Sequence, residues 1–82
     1  MRGREALDWS NDSCPVSNEP AKEALPRMGD FAEFICDTCG RFRISLSSLK
    51  EIRLHDAPSR QGFLESAKRA APKGSIPFIK DI

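Results

Sequence analysis

Cys36 and Cys39 are the two residues of this chain whose spacing most directly suggests chemistry. Two residues separate them, a glycine follows the second, and the residues on both sides are typical of strands. A tight turn of this kind points both sulfurs at one ion, and the glycine permits the backbone conformation in which nearby amides approach the thiolates. The pattern predicts half of a structural zinc site, although the same spacing can also serve redox chemistry.

A third cysteine, Cys14, begins a second candidate turn that is incomplete. A Cys-Pro start is typical of zinc-binding turns because proline stiffens the entry to the turn. Ser17 stands where a second cysteine would be expected, and serine is a poor zinc ligand. The sequence therefore predicts a Zn²⁺ ion bound by Cys14, Cys36 and Cys39, and it leaves open one of the four positions of a structural zinc site.

The fourth metal ligand has several candidates. His55 is the only histidine of the chain. It follows a predicted helix that can fold back towards the cysteines, so it is the first choice. Asp12, Asp37 and a water molecule are the alternatives, and in that case His55 is a solvated side chain.

Other uses of three cysteines fit the sequence less well. A zinc enzyme would need a glutamate beside a histidine ligand, and the chain has neither His-x-Glu nor His-Glu-x-x-His. Redox folds of the thioredoxin type need a helix after the dithiol, but a strand-like segment follows Cys39 and the third cysteine would go unexplained. Three buried thiols without a metal are the simplest alternative. We therefore expect no enzymatic activity.

Short strands followed by helices must position these cysteines. After Cys39, Phe42 and Ile44 alternate with Arg41 and Arg43. An alternation with a period of two places the apolar pair in the core and the arginines on the other face of a strand. Phe42 could instead stack on a base, but this alternation favours core packing. The predicted strands are residues 20–25, 31–36, 42–44 and, at a sheet edge because of Pro77, 76–79.

The predicted fold class is α+β, a small zinc-ribbon-like antiparallel sheet followed by two α-helices. Apolar residues at three-residue steps predict a helix over 45–54, capped by one of its serines, and Ser59 is the predicted cap of a second helix over 60–71. Residues 1–13 are predicted as an N-terminal arm, flexible or helical, and 14–82 as a single domain. Trp9 is expected to cover the core, because its burial removes a large apolar area from water.

The two turns resemble those of the zinc-ribbon (zinc β-ribbon) group. The similarity covers residues 14–45, about two fifths of the chain. It rests on Cys14-Pro15-Val16-Ser17 for the first turn and on Cys36-Asp37-Thr38-Cys39-Gly40, with Phe42 and Ile44, for the second. The resemblance implies a structural metal and a binding role towards nucleic acid or protein, and Ser17 departs from the usual four-cysteine pattern.

The distribution of charge suggests a partner. Residues 1–40 carry four basic and eight acidic side chains, and residues 41–82 carry nine basic and four acidic ones. We expect a non-catalytic, zinc-stabilised binding module that acts on nucleic acid or on a nucleic-acid-processing complex. The candidate binding residues are Arg41, Arg43, Lys50, Arg53, Arg60, Lys68, Arg69 and Lys73. The alternative is that both charged halves form solvated surfaces.

A protein-binding inhibitor is the alternative function. Small size, a compact metal fold and the lack of a catalytic set are similar to accessory proteins of bacteriophages and mobile elements, including anti-CRISPR inhibitors. Acidic side chains that mimic phosphates are a variant of this reading, with Asp8, Asp12, Glu19 and Glu23 as candidates. The odd number of cysteines and the lack of a signal-peptide pattern or a membrane-spanning run favour a reducing, cytoplasmic setting without a membrane partner. No small-molecule substrate is evident.

Overall fold

Five strands and two helices make up the part of the chain described by the computed structural model, residues 8–27, 29–80 and 82. The elements are β1 (Asp8–Ser13), β2 (Pro20–Leu25), β3 (Phe31–Cys36), β4 (Gly40–Ser45), α1 (Leu46–Ile52), α2 (Ala57–Ala70) and β5 (Phe78–Ile79). The strands form one sheet in the order β1-β2-β3-β4-β5. This arrangement confirms the predicted α+β class.

The sheet is mixed rather than wholly antiparallel, which corrects the sequence prediction. Strands β1 to β4 pair antiparallel with their neighbours, whereas β5 pairs parallel to β4. The chain between β4 and β5 contains both helices, and such a crossover is what a parallel pair requires. The edge position predicted for the last strand is confirmed.

Strand β1 was not expected from the sequence. All six of its residues pair with β2, from Asp8 opposite Leu25 to Ser13 opposite Pro20. These six residues belong to the sheet rather than to an arm, and residues 1–7 of the predicted arm lie outside the described residues. Trp9 was also placed wrongly, because it is 39% exposed and does not cover the core.

The core lies on one face of the sheet. Phe34, Phe42 and Ile44 are almost completely buried there, and the rings of Phe34 and Phe42 stack with their centroids 5.8 Å apart. Ile52 of α1 and Leu64 of α2 pack into the same cluster. The helices therefore cover this face, and the predicted alternation of β4 is confirmed.

Side-chain caps define where the helices begin. The Ser45 side chain accepts a hydrogen bond from the backbone N–H of Ser48 at 3.2 Å, as one of the predicted caps of α1. For α2 the sequence prediction was wrong, because Asp56 rather than Ser59 is the cap. Pro58 lies in the first turn, where its missing N–H costs no helical hydrogen bond. No described helix has the length and apolar character needed to cross a membrane.

Candidate metal centre

The turn between β3 and β4 holds two of the three thiols. Cys36 ends β3 and lies opposite Gly40, the first residue of β4, so Cys39 lies within the turn. Gly40 has a φ of 79°, a conformation that glycine adopts without the strain a Cβ would impose. The positive φ confirms the prediction that the residue after the second cysteine needs the conformational freedom of glycine.

The turn between β1 and β2 also contains a residue of positive φ four positions after its cysteine. The backbone N–H of Asn18 donates to the carbonyl of Cys14, and the N–H of Cys14 donates to the carbonyl of Glu19, both at 2.8 Å. Asn18 has a φ of 64° and occupies the position that Gly40 occupies in the other turn. Asparagine tolerates this left-handed conformation better than most residues. The two turns therefore share a positive φ at the fourth residue after the cysteine that begins each, although Cys14 faces Glu19 and Cys36 faces Gly40.

The two turns bring three buried thiols together. The sulfurs of Cys14, Cys36 and Cys39 all lie within 4.8 Å of one another, and none of the three is in a disulfide. The sulfurs of Cys14 and Cys39 are 3.8 Å apart. Each residue is at most 4% exposed. Such a cluster could hold a metal ion and is compatible with a zinc-ribbon-like site.

Ser17 lies beside the thiols. Its backbone N–H donates to the sulfur of Cys14, and its Oγ lies 3.5 Å from the sulfur of Cys36. Burial alone would raise the pKa of Cys36, but donation by the Ser17 hydroxyl and by backbone N–H groups holds that pKa below its ordinary value. For Cys39, burial and the adjacent Cys14 sulfur raise the pKa to about 12. The pKa values of Cys36 and Cys39 are thus shifted in opposite directions. A bound cation would favour the thiolate form of both, because a metal-bound thiol is deprotonated outright.

The other predicted metal ligands are not in this cluster. Among the described His, Cys, Asp and Glu side chains, the group with mutually close ligand atoms contains only the three cysteines. His55 instead packs edge-on against the ring of Phe63, with centroids 5.0 Å apart. Asp12 accepts a hydrogen bond from the backbone N–H of Ser13, and Asp37 is exposed. The geometry thus brings Cys14, Cys36 and Cys39 together and leaves His55 elsewhere.

The predicted basic residues are divided between two sides of the molecule. Arg41 and Arg43 project from the face of the sheet opposite the core, where both bind the nearly buried carboxylate of Glu33. The Arg43 Nε donates to Glu33 at 2.9 Å. The others lie on or after the helices that cover the core face, namely Lys50, Arg53, Arg60, Lys68, Arg69 and Lys73. They do not form one surface with the two arginines.

Aromatic rings accompany the cations of the face opposite the core. The Arg41 guanidinium lies 5.6 Å from the ring centroid of Trp9, and that of Arg43 lies 5.0 Å from the ring centroid of Phe31. Lys80 approaches Phe78 at 5.9 Å. We call this surface the open face, and it also presents Lys22 and Ile35, which pair across β2 and β3.

Sequence reasoning did not find most of the open face. The sequence does not show that Glu33 has a partner, because its position opposite Arg43 depends on the register of β3 and β4. Trp9 lies on a strand that the sequence did not indicate. The period of two in β3 was the available signal, because it puts Phe31, Glu33 and Ile35 on the side opposite the buried Phe34.

Comparison with known proteins gave no relatives. No family model matches the chain, and no curated protein or solved structure matches it either. The similarity to zinc ribbons therefore rests on the two turns and on the three thiols that they bring together.

Proposed function

We propose that this protein is a non-catalytic, zinc-stabilised binding module that binds single-stranded nucleic acid on its open face. The observation that carries the metal is the cluster of three buried thiols at the junction of two hairpin turns. Soft thiolate ligands in a tetrahedral arrangement favour zinc, which has no redox chemistry of its own. The ion would stabilise the sheet that presents the binding surface.

A small domain benefits strongly from such an ion. A core of this size rarely supplies more than about 3–5 kcal/mol of net stability. Structural zinc in zinc-finger peptides contributes roughly 10–16 kcal/mol of apparent binding free energy near neutral pH. Because Cys14 and Cys39 come from different hairpins, the ion ties β1 and β2 to β3 and β4. The site thus serves folding, and the open face serves recognition.

Charge and aromatic character support nucleic acid as the ligand of the open face. The charged residues that the described strands and their ends place there are Lys22, Glu33, Asp37, Arg41, Arg43 and, at the edge beside α2, Lys80. Four cations against two carboxylates give this surface an excess of positive charge. Trp9 and Phe78 are partly exposed beside the cations. Aromatic rings that stack on bases next to cations that bind phosphates are typical of surfaces for single strands.

Two measurements test this function separately. Elemental analysis of the purified protein, together with a thiol count, should give one zinc per chain. Titration of a fluorescent single-stranded oligonucleotide should show binding at low salt, with a slope of log K against log salt of about −1.4 for two net neutralised phosphates. A chain that binds no DNA or RNA at low salt would contradict the nucleic-acid proposal and would favour a protein partner.

The division of the basic residues provides a matched comparison. Arg41→Gln removes a cation from the open face, whereas Arg69→Gln removes one from α2, where the side chain is exposed and contacts Ser66. We expect Arg41→Gln to weaken binding about three- to tenfold, as expected for the loss of one phosphate contact, and Arg69→Gln to leave it unchanged. Equal effects of the two variants would mean that binding does not involve the open face.

A further inference from the structure

We infer that Ser17 supplies the fourth ligand of the metal site through its Oγ, which makes the centre three sulfurs and one oxygen. The inference rests on the metal proposed above and specifies its coordination. It differs from the sequence interpretation, in which Ser17 made the first turn incomplete and His55 was the first choice.

The backbone places Ser17 where a ligand belongs. Cys14 and Ser17 are related in the first turn as Cys36 and Cys39 are related in the second, with two residues between them. In each turn the next residue has a positive φ, at Asn18 and at Gly40. Both cysteines of the second turn belong to the cluster, and the Ser17 Oγ lies 3.5 Å from the Cys36 sulfur, so the Ser17 side chain reaches the same centre.

The distances fit a tetrahedron with one oxygen corner. With Zn–S near 2.3 Å, ideal tetrahedral geometry separates two sulfurs by about 3.8 Å. With Zn–O near 2.0 Å, it separates a sulfur from an oxygen by about 3.5 Å. The observed separations are 3.8 Å between the sulfurs of Cys14 and Cys39 and 3.5 Å between the Ser17 Oγ and the Cys36 sulfur. Two opposite edges of the tetrahedron are thus already at the required length.

The other candidates do not have this placement. His55 packs against Phe63, and neither Asp12 nor Asp37 has a ligand atom in the cluster. Water is the competing ligand, because Ser17 is half-buried and solvent reaches this corner of the site. The experiment must therefore separate coordination by the hydroxyl from coordination by water.

An oxygen ligand at the fourth position affects how tightly the site binds zinc and whether other small ligands reach the ion. A hydroxyl is a weaker and harder ligand than a thiolate, so the site should hold zinc less tightly than a four-cysteine site. Ser17→Cys should complete the set of four thiolates. Ser17→Ala should leave a corner that an added small ligand can reach.

Cobalt(II) substitution under a reducing agent tests the inference by spectroscopy. Wild type should show the charge-transfer intensity of three thiolates. Ser17→Cys should add a fourth, shift the ligand-field bands to longer wavelength and tighten binding at least about tenfold. Imidazole should change the cobalt spectrum of Ser17→Ala but not that of wild type. Ser10→Ala, an exposed serine of β1, is the control and should match wild type.

The outcomes distinguish the two proposals. Wild type that binds no cobalt and no zinc would refute the metal site itself, and the inference with it. Wild type that binds through three thiolates, with a Ser17→Cys variant that shows no fourth, would refute the role of Ser17 alone. A wild-type spectrum that responds to imidazole as Ser17→Ala does would assign the corner to water.

Discussion

Replacement of a single thiol should separate the stability that the proposed metal provides from that of the polypeptide. We choose Cys39→Ser because Cys39 is 4% exposed and lies against Cys14, at the contact between the two hairpins. The variant leaves two thiolates, from Cys14 and Cys36. We expect it to lose most of the metal-dependent stability while it retains the strands and helices that pack independently of the ion.

The magnitude follows from linkage between metal binding and folding. An ion present at one hundred times its dissociation constant stabilises the folded state by about 2.7 kcal/mol. If the loss of one thiolate weakens binding about a hundredfold, nearly all of this contribution disappears under the same conditions. For a domain of this length 1 kcal/mol corresponds to about 4–8 °C, so the loss of the ion's contribution alone should lower Tm by roughly 10–20 °C in the presence of zinc.

Thermal unfolding with and without a chelator is the appropriate assay. In the chelator, wild type and Cys39→Ser should differ only by the cost of burying a hydroxyl, about 1–3 kcal/mol if it finds no partner. Ala32→Ser is the matched control, because Ala32 is buried in β3 and its effect should be the same with and without zinc. Equal losses for Cys39→Ser in both conditions would refute the argument that an ion is bound there.

Two further predictions concern the scaffold around the site. Burial raises the pKa of Glu33, but its hydrogen bonds with Arg43 and Arg41 outweigh burial and hold that pKa below the ordinary 4.5. Because the folded-state pKa is lowered, Glu33→Gln should cost about 1–3 kcal/mol at neutral pH. The difference from wild type should shrink as the pH falls below 4.5 in urea unfolding experiments, and a constant difference down to pH 3 would contradict it. Gly40→Ala should cost about 1–2 kcal/mol through its φ of 79° alone, since nothing lies within 4 Å of the added Cβ. Gly62→Ala in α2 is equally open and should stabilise by about 0.5–1 kcal/mol, so the same sign for both variants would argue against backbone strain.

The sequence predicted those parts of the fold in which local patterns and tertiary packing agree. Strands β2 and β3 have the predicted bounds, and in β4 the alternation of Phe42 and Ile44 with arginines matches their burial. Turn residues bound β2 and β3, and in β4 apolar residues recur with a period of two. The pairing of Cys36 and Cys39 could be read directly, because both lie within one turn.

Elements that depend on distant partners could not be predicted in the same way. Strand β1 is almost wholly polar and exposed, and only its pairing with β2 makes it a strand. The start of α2 was missed because Pro58 can end one helix or begin the next, and only the Asp56 cap decides between them. Ser17 lies close to Cys36 because of how the two hairpins pair with each other. No local sequence pattern predicts that pairing.

The two sides of the sheet are packed differently, and this difference affects how such a protein can change over time. Residues such as Phe42 and Ile44 are constrained by the helices packed on them. On the opposite side, Trp9 and Ile35 are partly exposed, with no helix packed over them in the described part of the chain. Substitutions there could alter what the protein recognises with little effect on how it folds. The same sheet could thus serve as a scaffold for selecting new specificities.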